Sequence, residues 1–408
     1  MMINQTIGQK KVLQEAQDMY HRAWNSPVRQ AYLKQYQKNL RFFYGDQWSP
    51  ELKQELNKIG AIPFVVNRIE PIVTTYTSLQ INARRRIAIS QTTDILRHEQ
   101  LADYLDNLIY SIQLQNDFQN KSTQKYVDAL IGGLGWTHFG YDANSYQPFF
   151  YDSVDPREMA WDPDDRSQRM DNSEYNCRRY YVSLNNLKRR FSKFSSYFDD
   201  LVSNQTNNYI NSPIDNGNYN SLDFDDSFED YHNSDLWTRG KAISIVEVYY
   251  KKNAKYFETE VAFIDDNPES EINEIEQYFC TFDEDLAKEK KAPGAKIKEL
   301  EGTQIWKAVF CDQVLLESGP IPNQIPNQRS LPITPLCLKR NYKDMPYGVV
   351  DGLIDLSTAL NYIWTKTIHG LDSKLLILEK DSTFDLEKDS AIIHSEMSKR
   401  RGVIFVKD

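Results

Sequence analysis

Long apolar runs are missing from this sequence. No window comes near the ~18 consecutive apolar residues a membrane-crossing helix would need. The first residues, MMINQTIGQKKVL, lack the charged-then-apolar layout of a secretory leader, so the expectation is a soluble protein made and used inside a cell, with no membrane partner. Cysteine is scarce: Cys177, Cys280, Cys311 and Cys337 lie far apart with no C-x-x-C pair. Zinc sites draw their ligands in close pairs, so these read as free thiols. The six histidines include no pair at i,i+4. No G-x-x-x-x-G-K-[ST] phosphate loop, H-E-x-x-H, G-x-S-x-G or G-x-G-x-x-G fingerprint occurs. No metal, no cofactor and no catalytic residue is assigned on this basis. Positive charge is also short, with a net charge of −10. A surface that grips nucleic acid everywhere would need the opposite balance to displace phosphate counterions. The basic islands at Arg84–Arg86, Lys188–Arg190, Lys288–Lys296 and Lys399–Arg401 are small, and each reads as a solvated helix end.

Aromatic residues are plentiful, with 25 Tyr and 19 Phe over 408 residues, enough to build a sizeable core in two or three packed units. They crowd most tightly in RFFYGDQWSP, Arg41 to Pro50. Such a run can be core, a base-stacking platform, or the elbow between two helices. Upstream, Tyr32, Tyr36, Leu40 and Phe43 repeat at helical spacing in a polar, helix-friendly stretch. Gly45 is a stop signal and Ser49-Pro50 a restart. Stacking platforms set aromatics among cations, whereas here Arg41 is countered by Asp46. The elbow reading follows, with Phe43, Tyr44 and Trp48 as packing anchors and Trp48 the buried one.

Helices are predicted from about Arg68 to Asn82, from Leu96 to Gln113 on the repeat Leu101, Leu105, Leu108, Ile112, and from Lys121 to Leu130. GGLGWTHFGYD then packs glycines among β-formers and predicts a tight turn into strands, with Trp136 as a further anchor. Short strands follow, broken by Asp-Pro turns at 155–156 and 162–163. Residues 203–235 are dominated by Asn, Asp and Ser without a period, and read as a long insertion with too little apolar area to offset its ordering entropy. Limited proteolysis is expected to cut there first. AISIVEVYY, IWKAVFCDQVLLES and SLPITPLCL predict a β-rich unit over 241–340. A long helix is predicted from Val349 to about Leu371, on the stripe Val349, Leu353, Leu356, Leu360, Ile363. Gly352 inside it predicts a close approach by another backbone.

DPDDRSQRMD gathers Asp162, Asp164, Asp165 and Asp171. It fails as a calcium loop, because Arg166 takes the fifth position and Ser167 the place of the turn glycine. As a two-metal nuclease it lacks a supporting Glu/Lys or His constellation. The simpler reading is a turn whose carboxylates cap backbone amides. An Asp-dependent metal nuclease stays open as an alternative.

Taken in order, these segments resemble the portal proteins of tailed bacteriophages, particularly the long portals of short-tailed phages. The carrying motifs are FFYGDQW followed by IPFVVNRIEPIV, GGLGW before strands, the Asp-Pro pair in VDPREMAWDPD, the run from Asp171 to Tyr181 before LKRRF, and RSLPITPLCLKRNYKDMPYGVVDGLIDLSTALNYIWTKT, whose helix carries an Asn. They cover roughly residues 28–408. The resemblance implies an α+β portal-like fold: a helical and mixed wing body over 1–200, an insertion over 201–240, a stem approach and β-rich clip over 241–345, a stem helix over 346–372, and a channel loop returning to the wing over 373–408. Family members run much further, with more wing helices and a crown, so the chain is expected to stop short of these. The Asn-rich insertion at 203–235 is not among the segments that carry the resemblance. The resemblance further implies a non-enzymatic ring of about twelve subunits in the virion, at one capsid vertex, made in the host bacterial cytoplasm. Double-stranded DNA passes through without sequence-specific binding, and terminase, head-tail adaptor and major capsid or scaffolding proteins dock on it. Leu353, Leu356, Leu360, Ile363 and Asp355 of the stem helix would then lie at the subunit interface or channel. A head-completion or tail adaptor is the alternative structural reading.

Overall fold

A computed structural model of the chain describes residues 5–58, 60–83, 89, 96–142, 147–167, 170–211, 238–239, 242–261, 277–291 and 294–372. They belong to two units whose segments interleave: residues 1–31, 107–121 and 136–335 form one, and residues 32–106, 122–135 and 336–408 the other. The channel-loop segment expected over 373–408, most of the Asn-rich insertion, and the basic islands at 84–86 and 399–401 lie outside the described residues.

The first unit is built on an antiparallel sheet ordered β3(Met159–Trp161)-β4(Tyr175–Ser183)-β6(Ala242–Val261)-β8(Lys298–Cys311)-β9(Val314–Pro320), with β5(Thr238–Arg239) and β7(Gln277–Thr281) also pairing to β6. Strand alternation assigns the faces of β6. Val246, Val248 and Tyr250 point to a cluster with Leu13, Ala16, Tyr20, Ala23 and Trp24 of α1(Ile7–Trp24). Ile243 and Ile245 point to the opposite cluster, with Leu187 of α7(Leu184–Arg190), Phe191, and Phe198 of α8(Ser195–Asn211). Burial on both faces explains why AISIVEVYY is apolar almost throughout.

Helix α1 is a core element in its own right, where the sequence suggested only a helix-friendly lead-in. A capping box starts it: Gln9 N donates to Thr6 Oγ1 at 3.3 Å and Thr6 N to Gln9 Oε1 at 3.0 Å. Two boundaries also need correction. The β-rich unit expected to begin at 241 is not separate, since β6 pairs with β4 from Tyr175↔Tyr250 to Ser183↔Ala242. The insertion does not start at 203, because α8 runs on to Asn211. Leu201 and Val202 pack against the second cluster and carry the helix past the point where its sequence turns polar.

A smaller sheet, ordered β10(Ile333–Cys337)-β1(Leu134–Tyr141)-β2(Phe149–Val154), carries Trp136. That side chain is buried, with its ring 5.9 Å from Trp161.

The second unit is mainly helical: α2(Pro27–Phe43) from Tyr32 onward, α3(Pro50–Lys58), α4(Ile69–Asn82), the first half of α5(Leu96–Gln115), most of α6(Phe118–Gly132), the hairpin β11(Lys339–Arg340)–β12(Pro346–Tyr347), and α10(Ile354–Asp372). In the first unit, α9(Glu284–Lys290) sits against β6 and β7. Glycines let backbones meet at the end of α6. A Cβ on Gly348 would lie 2.6 Å from the carbonyl oxygens of Leu130 and Ile131, and one on Gly133, at φ +86°, 2.4 Å from the Tyr347 nitrogen. Val349 N donates to Leu130 O at 2.8 Å and Leu338 N to Gly133 O at 3.1 Å, closing the junction. Gly348→Ala is therefore expected to cost about 1–3 kcal/mol by overpacking. Chemical denaturation measures this, and an unchanged midpoint would show that the junction is not as tight as drawn.

The long helix is shorter than its apolar stripe suggested. Val350–Gly352 form a 3₁₀ turn, and α10 begins at Ile354 and has 19 residues, about 28 Å at 1.5 Å per residue. Asp351 sets this start, accepting from Gly348 N at 2.6 Å and from Gln35 Nε2 at 2.9 Å. The close neighbour of Gly352 is a side chain rather than a backbone: a Cβ there would lie 3.2 Å from the Tyr347 hydroxyl.

Candidate functional site: a buried amide network and an open apolar helix face

RFFYGDQWSP is an elbow. Helix α2 stops at Phe43, Gly45 takes φ +90°, and α3 restarts at Pro50 with Leu52 N donating to Ser49 Oγ at 3.3 Å. Trp48 is 3% exposed and packs with Leu56 and Ala61. Its Nε1 donates to Phe64 O at 3.1 Å. The other anchors fall differently from expectation. Phe42 is the buried phenylalanine and Phe43 is half-buried, while Tyr44 is 76% exposed, its ring T-shaped to that of Phe43 at 5.0 Å between centroids. Consecutive residues at a helix end point in different directions, so one run of aromatics cannot all face one core. Arg41 pairs with Asp46 at 2.9 Å, as does Lys53 at 2.9 Å, which takes up the cation a stacking platform would use.

Gln47, next to Trp48, opens a chain of buried amides. Its Nε2 donates to Phe42 O at 2.9 Å and to Asn67 Oδ1 at 3.1 Å. Asn67 Nδ2 donates to Phe43 O at 2.9 Å, and Asn67 Oδ1 caps α4 by accepting from Ile69 N at 3.1 Å and Glu70 N at 3.3 Å. From α10, Asn361 Nδ2 donates to Gln47 Oε1 at 2.6 Å while its Oδ1 accepts from Val66 N at 2.8 Å. Thr365 Oγ1, one turn on, accepts from Phe64 N at 3.1 Å. The separated signals Gly-Asp-Gln-Trp, Val-Asn-Arg and the helix Asn thus meet at one node. Each amide uses both its donor and its acceptor side, which is what makes a buried polar network specify one arrangement.

This node sets how α10 lies. The side it buries in its own unit is Ile354, Ser357, Asn361 and Thr365, at spacings of three, four and four, and all but the first are polar. The apolar stripe is left open: Leu356 is 66% exposed, Ile363 63%, and Tyr362 and Trp364 are exposed too. Leu353 and Leu360 are half-buried and Asp355 is exposed. In the same unit Tyr76, Leu79 and Ile81 of α4 and Leu101 and Tyr104 of α5 are exposed large side chains. Among the described residues these side chains leave an apolar helix face open.

The aspartate cluster is occupied by its own loop. Asp162 Oδ1 accepts from Asp164 N at 3.1 Å and Oδ2 from Glu174 N at 3.2 Å. Asp165 Oδ1 accepts from Ser167 N at 2.8 Å and Oδ2 from Ser173 Oγ at 2.7 Å, and Asp164 pairs with Arg22. Among the described residues no group of three or more His, Cys, Asp or Glu is placed to hold a metal ion.

One feature of the first unit gave no signal in the sequence. A cleft of roughly 960 Å³ has Glu247, Tyr249 and His138 in its floor. Burial works to raise the pKa of Glu247, but Lys307, His138, Arg190 and Arg178 pull it down to about 2. Its Oε1 accepts from Tyr180 Oη at 3.0 Å and from Arg190 at 3.4 Å. His138 Nε2 lies 3.1 Å from Tyr249 Oη, and burial lowers its pKa to about 4. An unfolded histidine titrates near 6.5, so between these values the unfolded state binds more protons. Acidification from about pH 6.5 to pH 4 therefore destabilises this unit, by on the order of 3 kcal/mol. Melting of wild type against His138→Gln across that range checks it: the variant should lose this part of the pH dependence, and parallel profiles would contradict the assignment.

No curated protein matches the chain. The family profile described as Phage P22-like portal protein matches residues 17–408, a span that takes in the elbow, the cap at Asn67, the glycine junction and α10 with Asn361. The chain belongs to the Phage P22-like portal protein family.

Proposed function

We propose that this phage portal protein is the subunit of a closed ring at the single portal vertex of the capsid. Double-stranded DNA enters through it during packaging and leaves through it at ejection, and terminase and head-tail adaptors dock on it. The open apolar face of α10, the candidate stem helix, is the observation that carries the ring. A helix that turns Ser357, Asn361 and Thr365 inward and Leu356 and Ile363 outward needs a second apolar surface, and a head-to-tail contact repeated around an axis supplies one for every subunit. About twelve copies close the ring in the family the sequence resembles. Asp355 and the other exposed polar residues of α10, Lys366 and Thr367, would line the channel side. An acidic chain suits a conduit along which phosphates must slide, because a basic lining would hold them. The role is structural rather than catalytic, and the carboxylates of the one candidate nuclease cluster cap their own turn.

Negative-stain images of purified protein test the reading. Open rings with a central channel are expected. Solid plugs or sheath-like stacks would favour the head-completion or tail adaptor instead, and divalent-metal-dependent DNA cleavage lost in Asp164→Ala would reinstate the nuclease.

A further inference from the structure

The hairpin β11–β12 has the marks of a presented contact. Its base is fixed by the glycine junction, where Gly133 and Gly348 admit the backbone of Tyr347 and of the end of α6. Its loop is braced from within. Asn341 Oδ1 accepts from Lys343 N at 2.9 Å and Met345 N at 3.1 Å, Asn341 N donates to Met345 O at 2.9 Å, and Arg340 Nη1 donates to Asp344 O at 2.8 Å. Asp344 takes φ +59° to close the turn. At the apex of this rigid loop Tyr342 is 90% exposed. A braced loop that spends so many hydrogen bonds to hold an aromatic ring in water has already met most of the ordering cost of binding something there.

The charge around the ring indicates what that is. LKRNYKDM, residues 338–345, carries Lys339, Arg340 and Lys343 against Asp344 alone, in a chain of net charge −10. Lys339 and Lys343 are exposed, and the Lys343 ammonium sits 5.4 Å from the centre of the Tyr342 ring. The Lys339 ammonium lies 5.0 Å from the centre of the Tyr347 ring. Two exposed ammonium groups, each beside a tyrosine ring, are donors only, which fits the phosphate backbone of a duplex rather than its base edges. We infer that this hairpin, through Tyr342 and Lys343 in its turn and Lys339 at its base, contacts the phosphates of double-stranded DNA. The inference rests on the portal reading and adds where the DNA is touched. With so few cations per subunit the contact is weak and salt-sensitive, which is compatible with DNA that must keep moving.

The test uses assembled full-length protein and a fluorescently labelled duplex of arbitrary sequence, with binding followed by anisotropy over a series of salt concentrations. Light scattering on the same samples reports assembly. For Lys339→Ala/Lys343→Ala, rings are expected to persist, with affinity about tenfold lower at low salt and a salt slope shallower by about 2 for each subunit that touches the duplex. Tyr342→Ala should weaken binding and leave the slope nearly unchanged. These side chains are exposed, so melting should not move. Rings that bind DNA identically with and without the lysines would overturn the inference and leave the portal reading standing, as would wild-type rings with no salt-dependent binding. Variants that keep DNA binding but fall apart would show the hairpin to be a subunit contact instead. Wild-type protein that forms no ring would overturn the portal reading itself.

Discussion

Leu356→Asp is expected to fold and to fail to assemble. Leu356 is 66% exposed within its own subunit, so a carboxylate there costs the isolated chain little. In the proposed ring the same position would lie in the apolar contact, where an unpaired charge costs several kcal/mol per interface, repeated at every subunit. Ile363→Asp should behave alike. Leu360→Asp should also block assembly, with some loss of subunit stability, because Leu360 is half-buried. Thr358→Ala is the control: its hydroxyl donates only to Ile354 O within the helix, at 2.9 Å, and rings should survive it. Light scattering separates the outcomes, since the first three variants should run as single subunits. Rings that persist in Leu356→Asp would remove α10 from the interface.

Trp48→Ala acts on the other side of the same node. The indole is 3% exposed, packs with Leu56 and Ala61, and donates to Phe64 O at 3.1 Å. Its removal should cost roughly 3–5 kcal/mol, as for other large core aromatics, and leave the Phe64 carbonyl without that donor. Because Phe64 N is bound to Thr365 and Val66 N to Asn361, the loss should also loosen the seat of α10 and weaken assembly. Tyr44→Ala, by contrast, should shift stability by less than about 0.5 kcal/mol, as exposed positions do. Denaturation of the two variants checks this. An unchanged Trp48→Ala subunit that had lost DNA affinity would return the aromatics to a stacking role.

How much of this the sequence disclosed follows from which signals are local. The elbow was legible because Gly45 and Pro50 act on their own backbone, and so was the strand AISIVEVYY from its alternating apolar residues, although that alternation did not disclose burial on both faces. The long helix was legible in its period but not in its orientation. Hydrophobic periodicity identifies an apolar face without saying whether it is covered by the same chain or another, and in α10 the inward face is the polar one. Asn361 and Gln47 lie 314 residues apart, and no local rule pairs them. The ordered set of motifs placed both in one family pattern, but their partnership is visible only in three dimensions. Trp48 and Phe42 are the buried rings among the four aromatics and Tyr44 the exposed one, since spacing near a helix end does not fix which ring turns inward. The β-rich region looked like a separate unit because β4 and β6 are divided by the Asn-rich insertion, although β4 pairs with β6 along its whole length.

The most direct test of the central claim is an electron cryomicroscopy map of the assembled protein at side-chain resolution. A closed ring with an open channel is expected, in which Leu356 and Ile363 of each α10 pack against the neighbouring subunit while Asn361 stays bonded to Gln47 within its own. A ring in which Leu356 and Ile363 face solvent, with the subunits joined through other surfaces, would contradict it.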